Sequence, residues 1–175
     1  MPSNPSADFD IGALYAALDA QRLARGLSWQ QVVREINARS EHAPARSISV
    51  STVTGMRSRA VIEGDGVLQM LLWLHRAPES FVPGYPDAAA ETLALPYVGP
   101  GQILRFDLGK LYSALDAQRI ERGMTWKQVA SEIGGFSAAS LTRLSQGRRT
   151  GFPHVMRIAR WLGRPVASFT RVSNR

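Results

Sequence analysis

The chain has 175 residues, no cysteine and a formal net charge of +7. The lack of thiols excludes disulfides, thiolate zinc sites and cysteine nucleophiles, and suits a reducing compartment. The longest apolar run, VLQMLLWL at 67–74, is far shorter than a bilayer span, and the opening MPSNPSAD has neither the basic nor the apolar region of a signal peptide; the expectation is a cytoplasmic protein with no membrane partner.

In chain order, the first long pattern is FDIGALYAALDAQRLARGLSWQQVVREI at Phe9–Ile36. It returns at Phe106–Ile133 as FDLGKLYSALDAQRIERGMTWKQVASEI, with 18 of 28 aligned positions identical. A match this dense marks a duplicated unit. In the first copy Gly26 ends helix one, Ser28 caps helix two with Gln31 at N3, and Leu27 and Val32 can staple its start. An insertion of about nine residues within NARSEHAPARSI then shifts the alignment offset from 97 to 88. Beyond it, ISVSTVTGMRSR at 48–59 matches FSAASLTRLSQG at 136–147, and the offset of 88 holds through Trp73/Trp161 and Phe81/Phe169. The intervening PGYPDAAAETLALPYVGPGQ has the Pro and Gly content of a linker, with room for one helical turn in DAAAETL.

In the second copy Asp107 caps a helix whose apolar face carries Leu108, Leu111, Tyr112 and Leu115, and Gly123 ends it. Thr125 and Gln128 form a capping box on the next helix, with Met124 and Val129 as staple. Gly134 and Gly135 stop it. Ser137 caps a third helix, 138–146, with Leu141 and Leu144 facing inward and Gly147 closing it. A fourth helix near 154–162 buries Val155, Ile158, Ala159 and Leu162, and a last turn follows Pro165. No segment alternates with period two, so the whole chain reads as all-α.

Charge is divided unevenly. Residues 1–82 carry 8 basic and 8 acidic side chains; residues 106–175 carry 12 against 4, a net of +8; the linker supplies −1. A polyanion would meet the second copy first.

The run IGGFSAASLTRLSQG at 133–147 resembles the phage repressor and Cro group of helix-turn-helix proteins, the XRE family. A glycine turn, a Ser cap, a small residue before an aliphatic and a closing glycine carry the likeness, over 106–169 and, with the insertion, 9–81. The resemblance implies two tandem four-to-five-helix, lambda-repressor-like domains, 1–82 and 106–175, joined by a Pro/Gly-rich linker at 83–105. It implies that the third helix enters the major groove of double-stranded DNA, with Ala138, Ala139, Thr142 and Arg143 toward the bases. Arg143 alone has the forked donor that pairs with guanine. Phosphate contacts fall to Lys127 at the start of helix two, to Arg148, Arg149 and Thr150 after helix three, and to Arg119. Trp126 either lies against a deoxyribose or packs over helix one or the linker. Relatives often place an acidic residue opposite the counterpart of Arg119; here Ser145 stands there, which leaves Arg119 unpaired by that route.

The copies differ at these positions. Val50, Ser51 and Thr54 replace the base-reading side chains, and Gly55 stands where the second copy has Arg143. Arg46, Arg57 and Arg59 flank the first copy's third helix as candidate phosphate contacts. Its fourth helix shows Leu71, Leu72 and Trp73, which are either core or an apolar face covered by copy two, another chain or a separate protein. His42, His75 and His154 are scattered, and no nucleophile elbow, P-loop or metal-ligand spacing occurs; neither an enzyme, a metal nor a cofactor is implied. The expected function is a sequence-specific transcriptional regulator with the second copy as main reader; the first copy either binds DNA weakly or reads a different half-site, which would make the operator asymmetric. The other reading is an antiactivator-like or antitoxin-like adaptor that binds a protein partner or a second copy of itself through the first repeat.

Overall fold

Residues 8–38, 47–58, 63–84, 94–147 and 150–174 are described by a computed structural model of the chain. Each repeat forms four α-helices and a closing 3-10 turn. In the first these are α1 (Ile11–Ala24), α2 (Trp29–Ala38), α3 (Val50–Thr54, continued by a 3-10 turn Gly55–Arg57), α4 (Gly64–Leu74) and the turn Pro78–Phe81. In the second they are α5 (Leu108–Glu121), α6 (Trp126–Ile133), α7 (Ala138–Thr142, continued by Arg143–Gln146), α8 (Phe152–Trp161) and the turn Val166–Phe169. The helical turn expected in DAAAETL falls on 87–93, outside the described residues.

The punctuation works as the sequence suggests. Asp10 accepts from the Ala13 amide and Asp107 from the Lys110 amide, each at 2.9 Å. Ser28 and Gln31 cap each other reciprocally at 2.8 and 3.2 Å, as do Thr125 and Gln128 at 2.7 and 3.3 Å. Gly26 and Gly123 turn the chain out of the first helix of each repeat at φ 64° and 63°, where a side chain would be strained.

The repeated phrase ALDAQR is spent on packing. Leu18 and Leu115 are fully buried. Asp19 accepts from Arg22 and Asp116 from Arg119. Gln21 and Gln118 donate to the carbonyls of Trp73 and Trp161, tying the first helix of each repeat to the end of its fourth. A second joint lies just outside the phrase. Glu35 accepts from Arg25 and from the Trp73 indole, and Glu132 does the same with Arg122 and Trp161. These donors hold both carboxyls below the ordinary carboxylate range.

One expectation is corrected, and one open reading is narrowed. The chain is mostly helical, but not wholly: Gln102–Phe106 (β1) and Thr170–Asn174 (β2) pair antiparallel, Leu104 opposite Val172. The stretch expected as linker, 83–105, therefore ends in a strand. Neither segment alternates, because β1 lies against α4 and buries Ile103, Leu104 and Phe106 together. Its partner is also a whole repeat away, beyond the reach of periodicity. Leu71, Leu72 and Trp73 read either as core or as an apolar face covered by copy two, another chain or a separate protein. All three are buried. The helix that carries them is enclosed by α1 and α2 of its own repeat and by α8 and β1 of the other. The chain itself is the cover.

The repeats meet through aromatic side chains. The rings of Phe9 and Phe152 lie 4.5 Å apart and those of Phe106 and Phe152 5.6 Å, within one continuous core. Full burial of each such ring contributes roughly 1.5–3 kcal/mol. Around them, Asp8 pairs with Arg157, Gln69 donates to the Leu104 carbonyl at 2.9 Å, and Glu79 Oε1 accepts from the Val166 amide at 2.7 Å.

Candidate nucleic-acid interface

The short third helix of the second repeat is set by its cap and its two leucines. Ser137 accepts from the Ser140 amide at 3.1 Å, and its hydroxyl lies 2.8 Å from that of Ser140. Leu141 and Leu144 are buried against α5 and α6. Anchoring that face leaves Ala139, Ser140, Arg143, Ser145 and Gln146 exposed, with Ala138 and Thr142 half-buried. Thr142 turns its hydroxyl back onto the Ala139 carbonyl at 3.1 Å. Arg143 has no ion-pair partner among the described residues, whereas Arg119, Arg122 and Arg157 each have one. Its charge faces solvent from the middle of the segment.

The remaining expected contacts divide into four groups. Lys127 is exposed in the first turn of α6. Arg119 is held from three sides: Asp116 at 2.8 Å, the Met124 carbonyl at 3.0 Å, and the Trp126 ring with its centroid 4.8 Å away. Asp116, one turn back on the same helix, thus supplies the carboxylate that Ser145 does not. Trp126 stacks on Tyr112 at 5.5 Å and 19°, so its ring packs over helix one. Thr150 gives its carbonyl to the Gly64 amide and lies at the junction of the repeats. Arg148 and Arg149 lie outside the described residues, as do Arg46 and Arg59.

In the first repeat Ser49 caps α3 through the Thr52 amide at 3.1 Å. Ser51 and Thr54 are exposed and Val50 half-buried, with the Thr54 hydroxyl donating to the Val50 carbonyl. Arg57 is exposed and lies 5.7 Å over the Tyr15 ring. Asn37 grips both backbone groups of Ile48, donating to its carbonyl at 2.7 Å and accepting from its amide at 2.9 Å. That clamp closes the insertion before α3. Sequence reasoning passed over it because the second repeat has Gly134 at this position. It also passed over Glu79, whose only cue is an acidic residue beside an apolar turn. Glu79 is buried, and its Oε2 has no partner among the described residues. Burial raises its carboxyl above the ordinary value, and the Val166 amide opposes that shift. It borders a groove of 1060 Å³ whose walls include Met124, Arg157 and Trp161.

Comparison with protein-family models, with curated proteins and with solved structures returned no match.

His154, at the start of α8, sits 4.9 Å from the Phe136 ring; burial, then the nearby Arg157, lowers its pKa and keeps the imidazole neutral at pH 7. Among the described residues no group of His, Asp and Glu is placed to hold a metal, and no helix is long and apolar enough to cross a membrane.

Proposed function

We propose that the protein is a sequence-specific DNA-binding transcriptional regulator of the helix-turn-helix type, with the second repeat as its main reader. One observation carries this reading most. The segment 138–146 buries its two leucines and presents Arg143, without an ion-pair partner among the described residues, on the repeat whose net charge is +8. A short helix anchored along one side, with one guanidinium among small and polar side chains on the other, suits a major groove. The same repeat offers Lys127 and, by sequence, Arg148 and Arg149 for phosphates. The clasp on Arg119 orients a guanidinium beside the first turn of α6, where free amides favour an anion. The adaptor reading drew on the neutral charge of the first repeat and on its apolar fourth helix; with Leu71, Leu72 and Trp73 buried, only the neutral charge still favours it.

The test is binding to duplex DNA as a function of salt. Four to six phosphate contacts give a slope of log K on log salt of roughly −4 to −5. Arg143→Ala is expected to relax preference at one base pair by about 1–3 kcal/mol, and Lys127→Ala to weaken all sequences alike. Affinity that ignores salt, or is unmoved by both substitutions, refutes the reading.

A further inference from the structure

The contacts between the repeats are reciprocal, and reciprocity fixes their relative orientation. Beyond the insertion, positions in the two repeats correspond at an offset of 88; before it, at 97. Glu63 and Gly151 are therefore the same position in the two repeats, and they face each other in an antiparallel bridge. A residue lies opposite its own counterpart in such a bridge when a two-fold axis passes between them. Other pairs obey the same axis. Phe9 packs on Phe152, while their counterparts Phe106 and Gly64 touch so closely that a Cβ on Gly64 would fall 2.6 Å from the Phe106 ring. Arg157 binds Asp8, while its counterpart Gln69 binds the carbonyl of Leu104, next to Arg105, the counterpart of Asp8. Helix α4 packs on α8, its own counterpart. An interface in which i meets j and j meets i is the type that two-fold dimers use. Here both halves are in one chain.

We infer that a single chain acts as a built-in two-fold dimer, and that its DNA site is an inverted repeat of two unlike half-sites about one helical turn apart. This rests on the DNA-binding reading above. Tandem repeats strung along a flexible connection could equally present their helices in one direction, to a direct repeat; the two-fold axis removes that option. Rotation about an axis leaves height along it unchanged, so the two third helices stand level on the same side.

Covalent reach bounds their separation. Six residue steps run from Arg57 to Glu63 and five from Gln146 to Gly151. At no more than about 3.6 Å per residue, with about 5 Å across the bridge, the two segment ends are at most roughly 45 Å apart. The 34 Å of one duplex turn fits and the 68 Å of two turns does not. The halves differ because Arg143 can fork onto a guanine in one, while Gly55 offers no side chain at the matching place in the other. There the exposed Ser51 and Thr54 hydroxyls remain.

Two measurements decide the matter. First, Glu63→Cys with Gly151→Cys in this otherwise cysteine-free chain places two thiols across an antiparallel bridge, within disulfide range. Oxidation is expected to give an intrachain cross-link in the monomer, and its failure to form overturns the two-fold arrangement. Second, duplexes selected from a random library by the full chain, and by the cross-linked variant, are expected to share an inverted arrangement with one chain per duplex by native mass. Reversing one half-site, or inserting five base pairs between the halves, should cost at least tenfold in affinity. Direct repeats, or two chains per duplex, overturn the inference and leave DNA binding standing. Absence of any salt-sensitive duplex binding, with the cross-link intact, overturns the function on which the inference rests and the inference with it.

Discussion

Two glycines near the start of α4 should respond to the same substitution with opposite signs. Gly64 and Gly66 both lie in helix, where alanine is intrinsically better by up to about 1 kcal/mol. At Gly66 a new Cβ would meet nothing nearer than Ile48 Cγ1 at 4.0 Å, an ordinary contact. Gly66→Ala should therefore stabilise by about 0.5–1 kcal/mol. At Gly64 the Cβ would lie 2.6 and 2.8 Å from two Phe106 ring carbons and 3.1 Å from the Thr150 carbonyl. The ring cannot retreat: it is buried beside Phe152, and its backbone amide is fixed to Asp65 at 3.1 Å. Overpacking of this kind costs typically 1–3 kcal/mol, which exceeds the helical gain and leaves a net loss of about 1–2 kcal/mol. For a chain of this length that lowers Tm by roughly 2–8 °C, against a rise of roughly 1–4 °C for Gly66→Ala. Differential scanning calorimetry reads both. Adding Phe106→Leu to Gly64→Ala should recover at least about 0.5 kcal/mol relative to the sum of the single changes. Equal Tm shifts for the two glycines, or strict additivity with Phe106→Leu, would refute the close contact between the repeats.

Other outcomes follow from single sites. His75 ends α4 in the left-handed conformation at φ 53°, where the second repeat has Gly163 at φ 63°; His75→Gly should stabilise by about 1 kcal/mol in urea unfolding. Burial raises the Glu79 carboxyl, so the protonated form favours the fold; that stability is full below the ordinary carboxylate range and is lost as pH rises through the folded value. Glu79→Gln, which keeps an acceptor for the Val166 amide, should be more stable than the native chain at pH 8 and gain little at pH 4; a gain equal at both pH values would show that ionisation is not the cause. Ser137→Ala removes the acceptor for the Ser140 amide and should cost about 1 kcal/mol, while Ser140→Ala keeps the cap and should cost less in the same assay.

Much of the helical order was legible because it is locally determined. Asp107, Thr125 with Gln128, Ser137 and Gly123 bond to groups within a few residues, so their meaning is complete in a short window. The duplication was legible too, since it is a comparison of letters. Within it lay a cue to use: the phrase shared by both copies supplies buried and bonded side chains, whereas Arg143 and Gly55, which stand at matching positions and differ, lie on the third-helix segments. What the letters could not supply was anything set by contacts between distant segments. The strand at Gln102–Phe106 exists because Thr170–Asn174 pairs with it and α4 covers it, and neither condition leaves a periodic trace.

Leu71, Leu72 and Trp73 show the limit most plainly. An apolar helix reads the same whether its cover is a stranger or the same chain folded back, because hydrophobic burial is non-directional and carries no address. The sequence by itself determined the helices, their caps and the fact of two copies, since those depend on neighbours along the chain. Only the tertiary structure decided that the copies close on each other about a two-fold axis. That outcome depends on shape: Phe9 and Phe106 reach across to Phe152 and Gly64, a fit between residues 143 positions apart along the chain in the first pair and 42 in the second.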